Sequence, residues 1–560
     1  MIRRRSGRWC ALLSALLAVL VGCTSLPESG PVNSAPERKP ERSSVDVLYS
    51  GPASDADPRE IVSGFLTASG SGYSDSFAAA KEYLSPQAAE AWNPYAGVEV
   101  ADSAEAPLIE EGVDGEIRVT TKARASVDSA GRYAPKLRPV IGTRSFSLMR
   151  NEDNQWRIVS LPDGIIVPDA TFEQIFDRVP LYFYSPDAEV LVPELRWFPR
   201  QTMVVSAARA LVQGPSSWLA PGVATAVPEG ASLDGGVEFT DGVVRVNVRV
   251  EGTRPSEEQL QRFYVQAQRT LGSLGGVESL VVNVNSVPVV PRTTAPLISP
   301  PTKPAQPVLV VEGQVARWNG RDAVPVSPGE NDVVVQHPSA PLEGTGAPLV
   351  VQTEDGAIRT FASAQARSEE LLEPGDWSPP ALDRLGWVWA ASGDNAGSIE
   401  AVAPTGRRVS VSAPQLAGNT VERLHLSPDG AKIVFLTKVG QTPLLRVAPV
   451  VRDPDGTPRE VRDAIEVTLP PGPILDADWA DSLDLVVLVG DSPGTAGSVV
   501  YLSLGGPRTI LPSVAGAVQV AAGNSERSLV VVSSDGTFYT RAGAGWRAAA
   551  TGVRDPNYGG

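Results

Sequence analysis

Side chains able to do chemistry are scarce in this sequence, and the most telling of them is a cysteine. Cysteine occurs twice, at Cys10 and Cys23, and histidine twice, at His337 and His425. Cys23 closes the run Leu20-Val21-Gly22-Cys23, which follows a basic head (Arg3, Arg4, Arg5, Arg8) and an uncharged segment from Trp9 to Val21. Basic, then apolar, then small residues ahead of a cut is the layout of a secretory signal peptide. The apolar run falls short of the roughly 20 residues that a membrane-spanning helix needs. Two cysteines, one of them inside the signal, leave no disulfide for the mature chain. So few cysteines and histidines exclude a Cys/His zinc site and leave little room for a Ser-His-Asp triad. No metal site, cofactor site or catalytic residue is assigned.

A signal ending in Leu-x-Gly-Cys resembles the bacterial lipobox. The resemblance implies cleavage between Gly22 and Cys23, an S-diacylglycerol on the Cys23 thiol and an acyl group on its new amino terminus. Cys23 would then be the first mature residue and the only membrane attachment, placing the protein on the extracellular face of the cell membrane. The alternative is an ordinary signal peptide that contains a cysteine.

The chain has 560 residues and a net charge of −16. Without residues 1–22 it keeps 44 basic residues against 64 acidic, a net −20. So acidic a surface repels polyanions, which excludes nucleic acid as a partner and argues against docking on an anionic membrane through basic residues. From Cys23 to Ser54 the sequence is rich in Pro, Glu, Arg and Ser, the composition of a solvated tether.

Residues 55–170 begin with Asp57-Pro58-Arg59-Glu60, a capping box with proline at the first helical position. Ile61, Val62, Phe65 and Leu66 follow at helical spacing; Phe77 to Leu84 and Ser85 to Trp92 suggest two shorter helices. The period then changes to two, at Ile117, Val119, Thr121 and Ala123, at Phe146 and Leu148, and at Trp156 and Ile158. Helices followed by a curved sheet resemble the α+β nuclear-transport-factor-like layout, whose cone often encloses a pocket. Tyr73, Trp92 and Trp156 are candidates to line one, against their plainer reading as core aromatics.

Residues 178–290 read as two strands (Val179 to Tyr184, Leu191 to Arg196), a helix stopped by Gly214-Pro215, a hairpin around Asp241-Gly242, a helix capped at Ser256 and ended by Gly275-Gly276, and a last strand from Val277 to Val284. With Leu211-Val212-Gln213-Gly214-Pro215, Val227-Pro228-Glu229-Gly230 and Thr270-Leu271 ahead of Gly276-Val277, this stretch resembles the α+β GerMN domain of spore-germination and cell-envelope lipoproteins of Gram-positive bacteria. The matched residues are turn formers and core positions, so the resemblance implies a binding or spacer module rather than a reaction.

A Pro-rich linker spans residues 291–307, and from 308 to 560 helical periodicity disappears. Val350-Val351-Gln352-Thr353-Glu354-Asp355-Gly356 is echoed by Val531-Val532-Ser533-Ser534-Asp535-Gly536. Asp376-Trp377-Ser378-Pro379, His425-Leu426-Ser427-Pro428-Asp429-Gly430 and Asp478-Trp479-Ala480 recur ahead of apolar strands, at the 45–50-residue spacing of a four-stranded blade. The reading is an all-β propeller of about five or six blades, with a β-sandwich as the alternative. Some propellers are glycosidases with paired carboxylates. Asp376, Asp429 and Asp478, however, are expected at equivalent turns, and repetition marks a structural role where catalysis needs a unique pair. Trp377, Trp479 and His425 are read as blade core in the same way.

Signal, tether, nuclear-transport-factor-like domain, GerMN domain and propeller, in that order, resemble the LpqB family of actinobacterial lipoproteins. The resemblance implies a non-enzymatic accessory of a two-component system, acting on the extracellular domain of a sensor histidine kinase of the MtrB type and so on envelope and division behaviour. Two other readings stay open: an envelope scaffold that binds peptidoglycan, and a propeller hydrolase of wall glycans.

Overall fold

The computed structural model describes residues 51–112, 116–292, 301–326, 334–363, 366–393, 397–440, 442–490 and 497–560. Leu20, Val21, Gly22 and Cys23, with the tether up to Ser50, lie outside the described residues. The described residues belong to one compact unit.

The first helix, Pro58–Gly70, starts as its sequence dictates. Asp57 accepts from Glu60 N and the Glu60 carboxylate accepts from Asp57 N, both at 2.9 Å, so two otherwise orphaned donors are satisfied. Its buried Ile61, Val62 and Phe65, with the short helices Ala78–Lys81 and Pro86–Ala91, lie over a six-stranded sheet. The sheet runs Trp156–Ser160, Tyr133–Arg150, Glu116–Asp128, Gly97–Ala101, Ile165–Pro168; Leu108–Glu111 pairs beside Glu116–Asp128. Gly97–Ala101 runs parallel to Ile165–Pro168, while the other ladders of the sheet are antiparallel among the described residues. Ile117, Val119, Thr121 and Ala123 are all buried, as their period requires. Opposite them Val140 pairs with Ala123 and Pro135 with Ala125, so Lys136–Pro139 bulges out of the ladder.

Next comes a two-stranded hairpin, Phe176–Tyr184 with Leu191–Pro199, longer than the sequence suggests at both ends. A four-stranded sheet follows, ordered Val287–Pro288, Ser279–Val284, Val243–Val250, Ala231–Thr240. The turn at Asp241-Gly242 has φ of +49° and +76°, the pair of positive angles that a tight hairpin demands. Val243–Val250 and Ser279–Val284 are parallel, joined by the helix Glu257–Leu271, which buries Phe263, Ala267 and Leu271 against Val244, Val246 and Val248. That helix stops at Leu271, earlier than Gly275-Gly276: Gly272 N still reaches Gln268 O, then Leu274 N turns back to Leu271 O.

Among the described residues the C-terminal half is a propeller of six blades, five of four strands and the fourth with a fifth strand, Ile465–Glu466, beside Thr442–Arg452. From the inside outward, blade one is Val553–Asn557, Val308–Val311, Gln314–Trp318 and Ala323–Pro325. Blade two opens with Val335–Ser339, blade three with Ala381–Leu382, blade four with Thr420–Leu426, blade five with Ile474–Trp479 and blade six with Ala517–Ala521. Six separate apolar clusters each span one pair of neighbouring blades, the last joining blade six to blade one. The ring is closed by Val308 pairing with Asn557, Val310 with Arg554 and Val311 with Val553.

The repeat is real but its register differs from the sequence reading. Ser427 N bonds to Lys432 O, Ala480 N to Asp484 O and Asp383 N to Trp387 O, so these three turns correspond. Asp376 lies seven residues before its blade's turn, while Asp478 pairs with Val486 inside the innermost strand, as His425 does with Val434. Asp376, Asp429 and Asp478 are therefore not equivalent. The irregular stretch after Trp377, with Pro379 and Pro380 interrupting the strand, displaced the alignment.

Candidate functional site

Polar ties weld the domains together. Glu194 and Arg196, on one strand of the hairpin and both buried, pair at 2.9 Å; Arg196 also donates to Ala130 O of the first domain. The indole of Trp197 donates to Gly505 O of blade five at 2.8 Å, and Trp197 N to Gly131 O at 2.8 Å. Arg178 reaches Asp484 of blade five at 3.3 Å. Arg384 of blade three pairs with Asp187 and donates from Nε to Asp429 O at 3.0 Å. Burial alone would raise the Asp187 pKa, but the Ser185 hydroxyl and the Arg384 charge bring it below the usual carboxylate value.

Where the three domains meet they leave a cavity of about 450 Å³. The first domain contributes Tyr133, the bulge residues Lys136 and Pro139, and Phe172 with Glu173; the hairpin region contributes Glu194, Leu195 and Trp218. The propeller supplies Ile465–Thr468 and Leu502–Arg508. Burial pushes the Tyr133 hydroxyl up to about 12 despite the nearby Arg508 charge. Size, mixed apolar and polar walls, and position at a domain junction are those of a ligand site. Tyr73 and Trp92 do not line it: they pack in an aromatic cluster with Phe65, Phe77 and Phe176. Trp156 lies under the Arg150 guanidinium, 5.0 Å from its ring centre, and is not a wall residue either.

Around the propeller axis, acidic side chains of the innermost strands carry ties between blades. Asp476 accepts from Val520 N at 3.0 Å and faces Arg423 at 3.6 Å; burial raises its pKa. Asp478 accepts from Ala522 N and from Lys303, whose ammonium also donates to Trp479 O and Ala522 O. Asp555 is bonded by His337 Nδ1 at 3.1 Å and Gln519 Nε2 at 2.7 Å. His425 lies 3.9 Å from Asp478. Asp429 is tied to Lys432 at 2.5 Å, and Trp479 is fully buried with its indole on His425 O; Trp377 is only half-buried, with Arg408 over its ring. Among the described residues no three His, Cys, Asp or Glu side chains are placed to hold a metal ion.

These domains answer to known ones. Residues 51–173 match the lipoprotein LpqB N-terminal domain family, 180–290 the sporulation and spore germination domain, and 305–559 the lipoprotein LpqB beta-propeller domain. A lipoprotein LpqB of Streptomyces avermitilis is 25% identical, with 97% of each chain covered, and one of Streptomyces coelicolor is 25% identical over 98% of each. The chain belongs to the lipoprotein LpqB family. A relative in Bifidobacterium longum is 31% identical over 39% of this chain and 40% of its own. Among solved structures, a chain of a nidogen/laminin complex shares 14% identity at a TM-score of 0.31, covering 45% of this chain and 93% of its own.

Membership makes a membrane-anchored lipoprotein of this chain, and no described helix is long and apolar enough to cross a membrane. The cleft residues Tyr133, Lys136, Trp218 and Arg508 went unread in the sequence. Tyr133 and Lys136 share one strand, but Trp218 and Arg508 come from other domains, and only the domain contacts bring the four together.

Proposed function

We propose that this protein acts by binding: lipidated at Cys23 and held on the extracellular face of the membrane, it is an accessory of a sensor histidine kinase of the MtrB type. It performs no reaction of its own. The observation that carries this reading is the welding of three domains around one junction cleft by the Arg384–Asp187 ion pair, the Arg196 bond to Ala130 O and the Trp197 indole bond to Gly505 O, while the propeller's axial carboxylates are engaged in inter-blade ties. A rigid body can transmit a contact made on any one domain to the others, and a lipid anchor raises the effective concentration of a weak binder beside a membrane partner. Stable residence requires the two or three acyl chains of a bacterial lipoprotein, because a single chain binds only marginally.

The test is crosslinking in living cells of the wild type and Cys23→Ala, reading membrane fractionation and captured partners together. The reading expects a membrane-bound wild type that captures a sensor kinase, and a shed variant that does not. Capture of wall fragments alone would replace it with the envelope-scaffold reading.

A further inference from the structure

We infer that the three-domain cleft is a docking site for an extended peptide segment bearing both a carboxylate and a cationic side chain. This rests on the proposed binding role and gives it an address. The first observation is charge. Glu194 and Lys432 at the cleft wall are spent on Arg196 and Asp429. Among the described residues, Lys136, Arg508, Glu173 and Glu466 line the cleft with no ion-pair partner for their side chains. Two cations and two carboxylates on the wall of one cleft suit neither a polyanion nor an uncharged glycan; they suit a ligand that carries both signs.

The second observation is backbone. Two strands that contribute to the walls are paired on one side only: Ile465–Glu466 with Thr442–Arg452, and Arg508–Val514 with Gly497–Ser503. Edge strands are where an extended chain adds itself through main-chain hydrogen bonds, with side-chain pockets giving selectivity. Phe172, Leu195 and Trp218 supply such pockets. Because the walls come from three domains, an occupant also grips their relative placement.

The probe is a random dodecapeptide phage library panned on the full chain carrying Cys23→Ala. Enriched peptides are synthesised and titrated by fluorescence anisotropy. Arg508 and Glu466 are exposed and have no ion-pair partner among the described residues, Arg508 making one bond of 3.4 Å to Thr468 O, so Arg508→Glu and Glu466→Lys should fold, which a thermal melt verifies. The expected result is a loss of affinity of at least tenfold in Arg508→Glu, and in Glu466→Lys a shift of selection toward acidic peptides. The inference is overturned if nothing enriches, if enriched peptides bind both variants as they bind the parent, or if chitotetraose binds and displaces them. Sensor capture in cells alongside peptides indifferent to Arg508 overturns the site alone. Peptide binding that depends on Arg508, with no sensor captured, overturns the accessory role alone.

Discussion

Lys303 and Asp478, separated by 175 residues, form an ion pair of 2.9 Å with the ammonium fully buried. Two carbonyls, Trp479 O at 2.7 Å and Ala522 O at 3.1 Å, complete the ammonium's three donors. The segment entering the propeller is thereby pinned between blades five and six. Burial pulls the Lys303 pKa down, which measures how much the partners must offset.

Lys303→Met should therefore destabilise the propeller by about 3–5 kcal/mol, the cost of leaving a buried carboxylate without its counter-ion. Adding Asp478→Leu should recover part of that loss and not all, since Ala522 N would then lack its acceptor. Urea unfolding followed by tryptophan fluorescence reads both. A Lys303→Met protein as stable as the parent would refute the pinning.

Arg384 and Asp187 join the middle domain to blade three. Arg384→Ala removes that pair and the donor to Asp429 O, and should cost about 1.5–3 kcal/mol at the interface. Hydrogen exchange ought to speed up at residues 185–190 and 427–430 while blades one and six keep their protection. Uniform acceleration across the chain would mean that the domains unfold together.

Acid should loosen the seam between blades one, two and six. Burial pushes the Asp555 pKa up, but the His337 hydrogen bond and charge and the Gln519 bond outweigh it, leaving it far below the ordinary carboxylate value. A depressed pKa means stabilisation that is complete above about pH 4, the unfolded value, and is lost as pH falls toward the folded one. Asp555→Asn should cost about 1.5–3 kcal/mol at pH 7, and the gap to wild type should shrink between pH 5 and pH 2. A gap independent of pH would remove the charge from the explanation.

Gly356 sits at φ +85°, and a Cβ there would lie 2.1 Å from Gly375 O. Gly356→Ala meets both a disfavoured conformation and a backbone that cannot step aside, so a penalty above about 2 kcal/mol is expected. Gly406→Ala, at φ +79° with open space around it, should cost less. Thermal melts of the two variants separate the clash from the backbone strain.

Local order was legible where a short stretch carries its own reason. The Asp57–Glu60 box, the Asp241-Gly242 turn and the alternation from Ile117 to Ala123 all specify structure through neighbours a few residues away. The repeated turns pointed to blades, but Pro379 and Pro380 broke one copy and shifted its alignment, so Asp383 was passed over for Asp376. Lys303 is one lysine in a proline-rich stretch, and Arg508 one arginine after a glycine pair. The partners of the Lys303 ammonium lie 175 to 219 residues away and the cleft that Arg508 lines is completed by other domains, and no periodicity encodes such meetings.

The seam in blade one orders events during synthesis. Val308–Val311 emerges long before Val553–Asn557, the strand that must slot in beside it. Until that strand arrives, five blades' worth of chain hangs on an unfinished circle with a bare sheet edge. An incomplete copy thus advertises itself to proteases by an edge that the finished copy has hidden, which makes ring closure a proofreading step for the whole polypeptide.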